Sequence, residues 1–96
     1  MELNNRQIKQ LRALGHTLSP VVTVGQNGMK DSIHVELDGA LTFHQLIKLK
    51  INLGDRDERD ALISELTERH TCHLVQRVGN IALLYRRNSE KASVFA

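Results

Sequence analysis

One stretch of the chain, Gly25-Gln26-Asn27-Gly28, is suited to binding an anion. An apolar run, Val21-Val22-Thr23-Val24, leads into it, and a helical pattern starting near Lys30 leads out. Strand, G-x-x-G and helix in that order bare backbone N–H groups at a helix N-terminus. Partial positive charge and unpaired donors there suit a phosphate. The two glycines can adopt φ > 0 and admit another backbone at close range. Gln26 and Asn27 add short amides, and Lys30 adds a cation. Further cations are available on the flanking elements: Arg6, Lys9 and Arg12 before the loop, Lys48 and Lys50 after it. Taken alone, G-x-x-G also serves as an ordinary strand-to-helix turn, so the flanks decide its meaning.

Other constellations carry less. The five histidines, His16, His34, His44, His70 and His73, fall on separate predicted elements or at their ends. None has the spacing of paired metal ligands, and no metal or other cofactor is expected. His44 falls on the apolar side of its predicted helix, as a core-edge histidine would. Asp57, Glu58 and Asp60 read as a charged helix start. There is no nucleophile elbow, Walker loop or dinucleotide fingerprint. Cys72 opens a strand with no base beside it, which suits packing better than nucleophilic catalysis. No enzymatic activity and no small-molecule substrate are expected.

Ninety-six residues, a quarter of them charged and 41% hydrophobic, make one globular domain. One cysteine excludes an internal disulfide and a cysteine-based zinc site, and fits a reducing, cytoplasmic compartment. No secretory or membrane-spanning signal is visible, so no membrane partner is expected. The three aromatics, Phe43, Tyr85 and Phe95, argue against a surface that stacks many bases. The net charge of +2 is unevenly spread. Arg6, Lys9, Arg12 and Lys30 near the start, and Arg69, Arg77, Arg86, Arg87 and Lys91 near the end, flank an acidic middle. One basic and one acidic face would follow, and polyanion binding needs only the first.

The elements that must position these residues follow from periodicity. Asn4 with Gln7 makes a capping box. Ile8, Leu11, Leu14 and Leu18 recur at helical spacing with Arg6, Lys9 and Arg12 opposite, and Gly15 ends the helix. Pro20 forces an extended start to the strand Val21–Val24. Met29, Ile33, Leu37, Ala40 and Leu41 mark a helix from about Lys30 to His44, with Gly39 in its interior for no evident reason. In the next strand Ile47, Leu49 and Ile51 take one face, Lys48 and Lys50 the other. Leu62, Ile63 and Leu66 stripe a third helix to about Arg69. Runs 72–78 and 81–86, joined by Gly79-Asn80, read as a hairpin. The expected order is α-β-α-β-α-β-β, an α/β fold with a mixed four-stranded sheet covered by helices. The single domain should span 1–96, with a core of about 4–87 and a flexible polar tail of about 88–96, in which Val94-Phe95 could dock.

With these elements in place, Leu14 to Gly28 resembles the opening signature of the CRM domain, named for chloroplast RNA splicing and ribosome maturation. His44 to Lys50 resembles its second motif, and Val78-Gly79 with Leu84-Tyr85-Arg86 its third. The likeness covers residues 2 to about 87, and a single domain this short resembles the bacterial YhbY family. The resemblance implies a fold similar to the C-terminal domain of translation initiation factor three. It implies RNA binding by Gly25, Gln26, Asn27, Gly28 and Lys30 with Arg6, Lys9, Arg12, Lys48 and Lys50. It also implies association with ribosomal RNA in the precursor of the large subunit, as an assembly factor; the protein is expected to be a monomer. The chain departs from the family pattern at Lys30, usually Thr; at Gln45, commonly Glu; at Asn80, commonly Lys; and at His70-Thr71, where a Gly is usual. The departures near Asn80 bear on whether the hairpin touches RNA. KH domains use a GXXG loop to clamp a nucleotide backbone, which supports the loop reading on physical grounds.

Two rivals come from other classes. A protein–protein adaptor would use the acidic middle and a sheet edge, and would show a large apolar patch. A small hydrolase would show a deep pocket with convergent titratable groups. RNA binding calls for a basic strip running from the first helix through the loop.

Overall fold

The Asn4 side chain accepts a hydrogen bond from the Gln7 N–H at 2.8 Å, and the Gln7 side chain accepts one from the Asn4 N–H at 3.0 Å. This reciprocal cap opens α1 (Asn5–Gly15) in the computed structural model, which describes residues 2–95. The order continues β1 (Pro20–Val24), α2 (Asp31–His44), β2 (Leu46–Ile51), α3 (Arg56–His70), β3 (His73–Val78) and β4 (Ile81–Tyr85). The expected α-β-α-β-α-β-β order is therefore present. Of the single domain expected over 1–96, residues 1 and 96 lie outside those described.

The four strands lie in the order β1-β2-β4-β3. β1 runs parallel to β2, while β4 is antiparallel to both β2 and β3. Strict alternation on β2 sends Ile47, Leu49 and Ile51 into the larger core with Leu37 and Leu41 of α2 and Ile63 and Leu66 of α3. The other face carries a smaller core, in which Leu11 of α1 packs with Leu46, Val75, Leu83 and Tyr85. One side of the sheet thus has two helices and the other side one.

Gly15 explains how α1 meets the sheet. A Cβ there would lie 2.6 Å from a Leu83 methyl, so glycine lets the end of α1 rest on β4 without displacing the Leu83 side chain. It is the last helical residue, followed by His16 in a right-handed conformation as the C-cap. Its function is close packing, where the sequence suggested a helix stop. The contact stripe of α1 is accordingly Ile8, Leu11 and Gly15. Leu14 and Leu18, expected on that stripe, are exposed.

The tail is held by Gln45. This residue caps α2 at φ 65°, is buried, and donates from Nε2 to the Ala92 carbonyl at 2.9 Å. Its Oε1 accepts from Arg87 at 2.9 Å and from the Asn88 N–H at 3.0 Å. Beyond it, Val94 and Phe95 pack on the smaller core, with the Phe95 ring edge-on to Tyr85 at 5.7 Å.

Candidate nucleic-acid interface

The loop Gly25–Gly28 closes on itself through a 3.0 Å bond from the Gly28 N–H to the Gly25 carbonyl. Gly28 has φ 73°, in the left-handed region that glycine reaches without strain. Gly25 does not share it: its φ is not left-handed, and a Cβ there would meet open space. The sequence expectation of two positive-φ glycines therefore holds for Gly28 alone. The N–H groups of Gln26, Asn27 and Met29 have no hydrogen-bond partner among the described residues, so they remain open to an anion. Lys30 is the N-cap of α2 and makes no side-chain capping bond, because an ammonium has no acceptor to offer the helix N–H groups. Asp31, in the first turn, already brings one negative charge to this helix end.

The Gln26 side chain, though exposed, is tied to the end of β2. Its Nε2 donates to the Asn52 carbonyl at 3.0 Å. The Asn52 N–H donates to the Val24 carbonyl at 2.8 Å, and its side-chain oxygen accepts from Asn80 Nδ2 at 2.9 Å. The Ile51 N–H completes the set by donating to the Asn80 carbonyl at 2.8 Å. The loop, the end of β2 and the Gly79-Asn80 turn are thereby joined through Asn52. Sequence reasoning missed Asn52, because nothing in its local pattern marks a contact with a turn far along the chain.

Strand register arranges the cations. Thr23, Lys50, Ile81 and Val78 form one row across the sheet, on the face opposite the larger core. Pro20, Lys48, Leu83 and Gln76 form the next row. Both rows lie toward the loop end, since Ile51 of β2 pairs with Val24 just before Gly25. The end of α1 stands over one edge of these rows and leaves a cleft of about 330 Å³. Arg12, Gly15 and His16 form its helix side, and Lys48 lies on its sheet side. Arg12 and Lys48 are therefore brought together, with Lys50 one row closer to the loop. Arg6 and Lys9 are exposed on α1 but do not line the cleft.

Charge is segregated between the two sides of the sheet. Every Asp or Glu except Glu2 and Glu90 belongs to α2 or α3, or is Asp55, the N-cap of α3. Among the described residues, no carboxylate lies in either row or lines the cleft.

A roomier cavity, about 540 Å³, lies at the opposite end of the sheet beside Arg86 and Arg87. Its guanidinium groups are already engaged. Arg86 bonds the Asp38 carboxylate at 2.9 Å, the Thr42 hydroxyl at 2.8 Å and the His70 carbonyl at 3.1 Å. Arg87 bonds Gln45 and the Lys91 carbonyl. Cys72 lines the same cavity, and burial pushes its thiol up to about 11, so it stays protonated and weakly nucleophilic at neutral pH.

Two histidines meet between α2 and α3. His34 Nδ1 and His70 Nε2 are 2.8 Å apart with the rings stacked, and His70 is buried. Burial, then the neighbouring His34, lowers the His70 pKa below its usual value; Asp38 opposes the shift, while Arg86 and Arg69 add to it. His44, expected at the core edge, is instead exposed and edge-on to Phe43 at 4.8 Å. Among the described residues no group of three His, Cys, Asp or Glu side chains could hold a metal ion.

The model of the CRS1 / YhbY (CRM) domain matches residues 3–86. The chain belongs to that family. A relative from Pseudomonas aeruginosa, named "Probable RNA-binding protein PA4753", is 44% identical over 88 residues, covering 92% of this chain and 85% of that one. A Haemophilus influenzae relative named "RNA-binding protein" is 35% identical, covering 92% and 89% of the two chains. The solution structure of SAV1595 from Staphylococcus aureus superposes with a TM-score of 0.82 at 27% identity, covering 95% of each chain.

Proposed function

We propose that the protein is a non-catalytic RNA-binding protein that uses the α1 side of its sheet. The observation that carries this reading is the carboxylate-free surface on which Arg12, Lys48 and Lys50 lead toward the open N–H groups of the G-x-x-G loop. Cations along such a surface can replace the counterions of a phosphate backbone, while the loop receives one phosphate at close range. The names of the Pseudomonas and Haemophilus relatives support RNA as the polyanion. The chain's resemblance to the CRM domain, named in part for ribosome maturation, supports a finer reading. In it, a monomer acts in the cytoplasm on ribosomal RNA in the precursor of the large subunit.

Salt dependence of binding to a large-subunit ribosomal RNA fragment tests the reading. Affinity should fall steeply between about 50 and 200 mM salt. Each of Arg12→Gln, Lys48→Gln and Lys50→Gln should flatten the log–log slope by roughly 0.7–0.9. A binding constant indifferent to salt and to all three changes would overturn it. Sedimentation with large-subunit precursors, followed by crosslinking, tests the finer claim.

A further inference from the structure

The cleft beside α1 contains more than cations. Ile81, Leu83 and Val78 give it an apolar floor, and Val78 is 65% exposed. Gln76 sits in the same cleft, and its side-chain amide has no hydrogen-bond partner among the described residues. The bulge at Val75, between Leu74 and Gln76, sets this arrangement. It turns Val75 into the smaller core and leaves Gln76 opposite Leu83.

Double-helical RNA would make poor use of such a cleft. It presents sugars and phosphates outward and keeps its base edges within its grooves, so an apolar floor would gain nothing from it. An unpaired base offers an apolar face and a polar edge together. Stacking on Phe or Tyr is not available on this side: Tyr85 is fully buried, Phe95 packs on it, and Phe43 belongs to α2, which leaves His16 on the helix side as the aromatic ring of the cleft. The floor is aliphatic, so the base would be held by apolar contact and by its edge. Gln76 places a donor and an acceptor side by side, the pattern that matches the N6/N7 edge of adenine. Arg12 and Lys48 stand at the rim for the adjoining phosphates.

We propose that the cleft between the end of α1 and strands β3 and β4 is a nucleobase pocket. It takes an unpaired base, adenine in preference, from an RNA strand whose backbone continues toward the G-x-x-G loop, and Gln76 reads the base edge. This rests on the RNA-binding reading and adds that the RNA is unpaired where it meets the cleft.

The test compares a short oligoadenylate with an RNA duplex of equal length, using amide chemical shifts and affinity on the full chain. Oligoadenylate should shift Gly15, Gln76, Val78 and Ile81, including the Gln76 side-chain amide. The duplex should shift only the loop and the lysines. Gln76→Ala should weaken oligoadenylate binding roughly 5- to 150-fold, the worth of one bidentate base contact, and leave duplex binding unchanged. Lys48→Gln should weaken both. Gln76 is exposed, so the variant should fold, and unchanged thermal melting would confirm it. If both RNAs bind equally and Gln76→Ala changes neither, the pocket is overturned while RNA binding stands. The same holds if no RNA shifts the cleft, which would then be a face for a protein partner. Failure of both RNAs and of ribosomal RNA to bind would overturn the underlying reading as well.

Discussion

Gln26 and Asn27 are neighbours in the loop, yet the Gln26 amide is bonded to the Asn52 carbonyl while the Asn27 side chain makes no bond among the described residues. The pair therefore divides into a brace and a free group. Gln26→Ala should cost about 0.5–1.5 kcal/mol of stability, the net worth of one hydrogen bond. It should also loosen the loop, weakening RNA binding indirectly. Asn27→Asp should leave melting almost unchanged, since Asp tolerates the same turn conformations. It should nonetheless sharply reduce RNA affinity, by placing a negative charge where a phosphate would approach. Equal affinity of Asn27→Asp and wild type would move the phosphate site away from the loop.

The His34–His70 contact predicts a pH dependence of folding. One ring nitrogen must donate and the other accept, so the 2.8 Å contact requires at least one neutral imidazole. The native His70 pKa lies below the unfolded value, so the unfolded chain binds more protons between those two values. Stability then rises with pH through that window. The contribution is complete above the usual histidine pKa of about 6.5 and declines as pH falls below it. Asp31 and Asp38 of α2, Arg69 of α3 and Arg86 after β4 lie around the pair; Asp38 opposes the shift, while Arg86 and Arg69 add to it. Melting temperatures between pH 5 and 8 should show this fall, and His34→Gln with His70→Gln should flatten it. An unchanged slope in the double variant would assign the pH dependence to other groups.

Much of this architecture was legible because it is local. The Asn4–Gln7 box, the Lys48/Lys50 alternation and the two-residue hairpin each depend on residues a few positions apart. What escaped was tertiary. Gly15 reads as a helix stop until Leu83 is seen beneath it, and that contact rotates the stripe of α1 so that Leu14 and Leu18 face water. The link from Gln26 through Asn52 to Asn80 joins three segments with no shared pattern. Gln76 was hidden by the bulge, which breaks the period-2 signal in β3.

Thr71 offers a way to raise stability without touching the proposed interface. It caps α3 with φ 51° and ψ 51°, a left-handed conformation that is unfavourable for a β-branched residue. Such a conformation costs an L-residue about 1–2 kcal/mol, partly offset in glycine by its greater unfolded entropy. Thr71→Gly should therefore stabilise the fold by roughly 0.5–1 kcal/mol. In a domain of this size the melting temperature should rise by roughly 2–8 °C. RNA affinity should not change, because Thr71 lies by the cavity at the far end of the sheet. A lower melting temperature would mean that the threonine side chain contributes more than its backbone costs.

Gly25 separates folding from function most cleanly. Nothing in the protein's own structure requires glycine there: its φ is outside the left-handed region and a Cβ would meet no atom within 4 Å. Alanine at such a position restricts the unfolded chain and should stabilise the protein by about 0.4–1 kcal/mol. The space left by the absent Cβ opens beside the free N–H groups of Gln26 and Asn27. If a nucleotide backbone packs against that space, a methyl group would hold it away, and charge-assisted bonds to the N–H groups would lengthen and weaken. Gly25→Ala should then melt at or above the wild-type temperature and bind ribosomal RNA at least several-fold more weakly. Gly28→Ala, strained at φ 73°, should lose both stability and binding, and so marks what a purely structural glycine does. Wild-type affinity in a stable Gly25→Ala protein would show that no backbone approaches the loop there.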